Sequence, residues 1–235
     1  MLALALLACT EAPTIHRSRP GNPKTDDGEA ALIRDTGRPA PEDTDTGDLP
    51  PDTGDSGGTE ATEGEVCYLG PARDHSVCVP VVTVADAGPD YVYPAPYDGD
   101  PQYAAPSRWL DLDAIDPDIQ IAPNFTLSEY AASYKGEYAV MQSHFVDVLQ
   151  ALRDAVGGPV TVTSGYRNPA YNESVGGVEY SRHQYGDAAD LEADGYSVEE
   201  LGDLCYDLGA DYVGLYEDGH THCDWRDHPL DPAFY

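Results

Sequence analysis

The chain has 235 residues, enough for one domain of ordinary size and a good deal of further sequence. Its 43 acidic against 12 basic side chains give a formal charge of −31 and a pI near 4.1. A surface of that sign repels phosphate backbones, which excludes nucleic acid as a partner and leaves the fold open.

Residues 1–9 form a short apolar run that closes on Leu6, Leu7, Ala8 and Cys9. It is too short to span a bilayer as a helix. The run resembles the lipobox of bacterial lipoprotein signal peptides. That implies an exported lipoprotein with a lipidated Cys9, on the periplasmic or cell-surface face of a membrane and held there by the lipid alone. The other cysteines, Cys67, Cys78, Cys205 and Cys223, are even in number, as an exported disulfide protein requires. Cys67–Cys78 would close a small loop, and Cys205–Cys223 would tie a helix to a strand. The two crossed connectivities stay open. No Cys-x-x-Cys pair occurs, which argues against a thiolate metal site.

Residues 10–65 are rich in Pro, Gly, Thr and Asp and nearly devoid of large apolar side chains. Such a stretch cannot bury enough surface to offset its chain entropy, so the expectation is a disordered, acidic tether. Its spaced aspartates lack the EF-hand loop pattern and the terminal Glu, which argues against a calcium site. Across 66–121 the composition shifts. Val81 to Val84 reads as a strand, while Tyr91 to Tyr97 and Tyr103 to Pro106 read as extended, turn-rich chain. Their aromatic rings predict a segment that packs on a neighbouring domain.

That domain is expected over 122–235. Thr126 and Glu129 form a capping-box pattern that predicts a helix to about Ser133. Met141, Phe145, Leu149, Leu152 and Val156 recur at helical spacing until Gly157 and Gly158 stop them. Pro159 to Ser164 is β-branched and reads as a strand, and Asn168 to Val175 as a short helix. Ser197 and Glu200 form a second capping box, with Tyr196 and Leu201 placed as a hydrophobic staple, for a helix ending near Gly209. Tyr212 to Tyr216 and His220 to Trp225 read as a hairpin around a Glu-Asp-Gly turn. The fold class is α+β, a small, largely antiparallel sheet with packed helices.

The chemistry concentrates in Ser181 to Asp190. His183 and Asp190 are separated by a loop containing Gly186, and the loop runs into Ala188, Ala189 and Leu191. If it ends in a strand, Ala189 and Leu191 point to the core while Ala188 and Asp190 face the other way. Gly219 to Asp224 offers a third ligand, since His220 and His222 share one strand face. Three protein ligands of the His/Asp/His kind with an open fourth position are the pattern of a catalytic zinc site.

Several ordered blocks then resemble one family. These are Val162 to Asn168 with its Ser164-Gly165-Tyr166-Arg167 core, Asn172, Val175 to Gly177, Ser181 with His183, Tyr185 to Leu191, and His220 to His222. Together, over roughly Ala122 to Arg226, they are similar to the zinc D-Ala-D-Ala carboxypeptidases. These are peptidoglycan peptidases that share a fold with the hedgehog signalling domain. The resemblance implies one zinc ion on His183, Asp190 and His222. It makes Arg167 the arginine that faces the substrate, a task that suits a guanidinium fork, with a structural salt bridge as the other reading. His220 would stand beside the metal, stabilising an intermediate or moving protons, or else be an inert surface residue. Asp224 would orient a ligand histidine.

The family commonly carries an acidic general base three residues before the last zinc histidine, and here that position is Gly219. Asp218, then His220, then Glu217 are the substitutes in order of preference. The resulting expectation is a monomeric zinc peptidase that cuts peptidoglycan stem peptides or cross-links. The alternative is an inactive zinc-containing lipoprotein that only grips the cell wall.

Overall fold

A computed structural model describes residues 64–235. Cys9 and the expected tether lie outside the described residues, save that Glu65 already opens the first strand. Strands β1 (Glu65–Tyr68) and β2 (Val77–Pro80) pair as an antiparallel hairpin, with Cys67 and Cys78 joined directly across it. β3 (Val82–Thr83) shortens the strand expected at 81–84, and it pairs with β4 (Arg108–Asp111). Between them the tyrosine-rich stretch runs through short 3-10 turns at Pro89–Tyr91, Tyr97–Gly99 and Pro101–Tyr103.

β5 (Gln120–Ala122) and β6 (Phe125–Thr126) form a small hairpin that leads into α1 (Leu127–Tyr130). The Glu129 carboxylate accepts from the Thr126 N–H at 2.7 Å, closing the expected cap. The helix is shorter than expected, however. The Tyr130 carbonyl accepts from the Tyr166 N–H at 3.0 Å instead of a further helical turn, and the chain passes into a 3-10 turn at Ser133–Lys135. β7 (Tyr138–Ala139) then completes a sheet ordered β3-β4-β7.

α2 (Ser143–Val156) buries Phe145, Val146, Leu149 and Leu152 along one stripe and stops at Gly157, which is left-handed at φ 66°. Met141 precedes the helix but is fully buried in the core. β8 (Val160–Ser164) follows, then α3 (Pro169–Ser174), whose first turn is capped by the Asn168 side chain accepting from the Tyr171 N–H. β9 (Ala188–Ala193), α4 (Val198–Asp207), β10 (Tyr212–Leu215) and β11 (Thr221–Asp224) complete the main sheet. Its order is β10-β11-β9-β8, and every pairing is antiparallel.

This is the α+β architecture read from the sequence. α4 lies on β10 and β11, and α2 lies against β8 and α4. Ala189, Leu191, Val213, Leu215 and Cys223 turn toward these helices and join one apolar core. The disulfide Cys205–Cys223 ties α4 to β11, so both bridges are the local ones and the crossed connectivities do not occur. No helix among the described residues is long and apolar enough to cross a membrane.

Candidate metal centre

The face of the main sheet turned away from α2 and α4 carries the polar residues. β9 and β11 pair in a register that sets Asp190 directly opposite His222 and Ala188 opposite Asp224. Strand alternation puts Asp190 and His222 on one side while their neighbours Ala189 and Cys223 fill the core. His183 arrives from a 3-10 turn, Arg182–Gln184, just before β9.

Two features fix that turn. Gly186 sits at φ +82°, and a Cβ there would lie 2.5 Å from the Val140 carbonyl oxygen, so only glycine lets the loop pass so close. Arg182 and Asp187, neither exposed to solvent, brace the loop as a bidentate ion pair, with Nε donating to Oδ1 at 2.8 Å and Nη2 to Oδ2.

Three donor atoms converge. His183 Nε2 lies 3.1 Å from both Asp190 Oδ1 and His222 Nδ1, and His222 Nδ1 lies 3.0 Å from Asp190 Oδ1. All three side chains are buried. The far nitrogen of His183, Nδ1, donates to the Gly165 carbonyl at 2.7 Å, which leaves Nε2 as the lone-pair nitrogen facing the cluster. Four-coordinate ions with bonds near 2.0–2.1 Å hold neighbouring ligands roughly 3.3 Å apart, so this triangle fits one metal ion and a further open position. Burial raises the pKa of Asp190, yet the two imidazoles outweigh it and hold the carboxyl well below the usual carboxylate range.

The surrounding residues orient these donors. Arg167 Nη2 donates to Asp190 Oδ2, and its Nε donates to Ser164 Oγ at 2.9 Å. The guanidinium expected to face a substrate is thus also the brace of a candidate ligand. Asp224 Oδ2 stands 3.5 Å from His222 Nε2, and Arg226 clamps Asp224 through both carboxylate oxygens. His220 and Asp218 are outside the triangle but meet each other, Nδ1 to Oδ1 at 2.6 Å, with the imidazole stacked on Tyr216 at 4.2 Å between centroids. Glu217 is exposed in the same turn.

Sequence reasoning missed two residues here. Arg226 was readable in principle, two positions after Asp224 and just past the end of β11. Lys135 was not. It comes from the turn after α1 and donates to Ser164 Oγ at 2.9 Å.

Residues 123–224 match the family described as Peptidase M15, a span that contains His183, Asp190, His222 and Arg167. Over 81 residues the chain is also 41% identical to the zinc D-Ala-D-Ala carboxypeptidase of Streptomyces albus G, which covers 32% of this chain and 31% of that protein. The alignment thus spans about a third of the relative's own length. The M15 segment begins after β5 and takes in the whole four-stranded sheet, while β1 to β4 precede it.

Proposed function

We propose that the chain is a zinc peptidase that hydrolyses peptide bonds of peptidoglycan. The observation that carries this reading is the buried triangle of His183 Nε2, Asp190 Oδ1 and His222 Nδ1, with edges of 3.0–3.1 Å. The family match and the zinc carboxypeptidase relative supply the metal and the substrate class. His183, Asp190 and His222 would hold a zinc ion, which when bound would supply Lewis acidity toward a peptide carbonyl and a water.

The protein's own residues do the rest. Gly165 fixes the His183 tautomer and Asp224 steadies His222, so both present nitrogen lone pairs. Arg167 orients Asp190 and places positive charge beside the reacting carbonyl. The proton acceptor is the pair that replaces the acid missing at Gly219. His220 takes the water's proton at Nε2 while Asp218 holds Nδ1. Two disulfides suit a protein that works outside the cytoplasm, where peptidoglycan lies. A lipidated Cys9 would hold it there.

The test combines zinc content with digestion of purified peptidoglycan and of defined muropeptides, comparing wild type with His183→Ala. Stoichiometric zinc and released fragments are expected from the wild type only, and fragment masses identify the bond as terminal or cross-linking. Full zinc occupancy without any fragment overturns the peptidase reading.

A further inference from the structure

We propose that Tyr93 is a positioning residue of the metal centre, whose hydroxyl ties the chain beside His183 to the chain beside Arg167. The inference rests on the metal reading of the triangle and needs nothing of the peptide chemistry.

Tyr93 lies in the tyrosine-rich arm between β3 and β4, ahead of the segment that matches Peptidase M15. Its Oη donates to the Gln184 carbonyl at 3.0 Å and stands 2.9 Å from Tyr166 Oη. A phenol has one proton to give, and that of Tyr93 goes to Gln184, so Tyr166 donates to Tyr93. Burial above all pushes both phenols above their ordinary range, and both keep these protons near neutral pH. The Tyr93 ring meets that of Tyr185 edge-on at 5.7 Å between centroids, which fixes where the hydroxyl points.

The two residues joined in this way are neighbours of the site. Gln184 follows His183 and closes the 3-10 turn Arg182–Gln184. Tyr166 stands between Gly165, whose carbonyl accepts from His183 Nδ1, and Arg167, which holds Asp190. The hydroxyl of Tyr93 therefore spans the two segments that orient His183 and Asp190.

Each carbonyl of the loop from Ser181 to Gly186 is occupied. That of Ser181 accepts from the Gln184 N–H, that of Arg182 from the Tyr185 and Gly186 N–H groups, and that of His183 from the Arg167 N–H. Those of Tyr185 and Gly186 accept from the Gln142 side chain and N–H. These donors all lie within 123–224, whereas the Gln184 carbonyl takes its donor from the arm. A short 3-10 turn leaves its last carbonyls without donors of its own, so a donor from elsewhere decides how firmly the turn is held. Gln184 is only 2% exposed, and without Tyr93 its carbonyl would lose that donor inside the protein. A metal-binding constellation has to be held within about 0.5 Å by its supporting shell, and this turn carries His183.

Tyr93→Phe keeps the ring and removes the hydroxyl. Zinc affinity is read by competition with a chromophoric chelator, amide hydrogen exchange by NMR on the chelator-treated protein, and Tm by calorimetry. Tyr93→Phe should lose roughly three- to tenfold in zinc affinity, less than the roughly 10–100-fold of a residue bonded to a ligand itself. The Arg167 and Gln142 amides, which bond to the loop, should exchange faster, while amides in the middle of α2 should not. The double variant Tyr93→Phe, Tyr166→Phe separates positioning from stability. It removes the stranded Tyr166 hydroxyl, so Tm should recover, but the Gln184 carbonyl stays open and zinc affinity should stay low. Zinc affinity unchanged in Tyr93→Phe, or restored in step with Tm in the double variant, overturns the proposal. A wild type that binds no zinc, with faster Arg167 exchange in Tyr93→Phe, defeats the metal reading and spares the clamp; without that faster exchange both fail. Zinc bound equally by wild type and Tyr93→Phe keeps the metal reading and defeats the clamp.

Discussion

Arg167 holds one carboxylate oxygen of Asp190 while the other oxygen of that carboxylate meets His183 and His222. The arginine is only 7% exposed, so this contact is made away from water. Arg167→Ala would leave Asp190 Oδ2 buried without its strongest donor. Orienting partners of this kind typically contribute 10–100-fold to metal affinity. We expect a loss of that order in zinc affinity, measured by competition with a chromophoric chelator, and a smaller one for Arg167→Lys, which lacks the fork. Unchanged zinc affinity with a raised KM would assign Arg167 to the substrate alone.

Removing the metal should destabilise the fold. The donors of the triangle are all buried and crowd within 3.1 Å of one another, an arrangement an ion compensates. A ligand present at a thousand times its Kd stabilises by about 4 kcal/mol. Chelation should therefore lower Tm by on the order of ten degrees, read by scanning calorimetry. In His222→Ala the same chelator should leave Tm where it is.

The Cys205–Cys223 bridge closes a sequence separation of 18 and adjoins His222. Loops of that size correspond to about 3 kcal/mol of stabilisation. The double variant Cys205→Ala, Cys223→Ala should lose roughly that much in urea titration. It should also bind zinc more weakly, because β11 loses its tether to α4.

Asp211 provides a pH test. Burial first, then the charge of Asp227, push its carboxyl up to about 6, although it accepts a hydrogen bond from the Asp227 N–H at 2.9 Å. A raised acid binds its proton more tightly when folded, so its contribution favours folding at low pH and is lost as pH climbs through about 6. Asp211→Asn keeps the acceptor and removes the charge. At pH 7 it should gain about 1–2 kcal/mol, a few degrees in Tm, and the gain should vanish near pH 4. Equal Tm for both proteins at pH 7 would count against the assignment.

Much of this was readable before any coordinates. The long apolar stripe of α2, the Ser197 cap of α4 and the β10–β11 hairpin are local patterns, and local patterns survive folding. The convergence of His183, Asp190 and His222 was legible because donor side chains of that kind stood at a loop–strand junction and on a second predicted strand. β1, β2 and β4 to β7 were not, being two to four residues long and too short to show alternation. The capping box at Thr126 marked where α1 starts, but its end was decided by Tyr166, which takes the Tyr130 carbonyl from far along the chain. Lys135 was silent for a similar reason. Its partner Ser164 lies 29 positions further along the chain, so nothing local marks it. Arg167 was read either as the substrate's partner or as a structural salt bridge, and the fold supplies the partner for the second reading in Asp190.

The Arg182–Asp187 ion pair has a consequence for modularity. Arg182 also donates to the Gln102 carbonyl at 2.7 Å and lies against the Tyr103 ring, and Tyr93 donates to the Gln184 carbonyl at 3.0 Å. All three partners come from the arm that precedes the M15 segment. A chain cut back to residue 123 would uncover a fully buried arginine beside His183. The unit that matches the family is therefore smaller than the unit that must be expressed or transplanted to keep the loop intact.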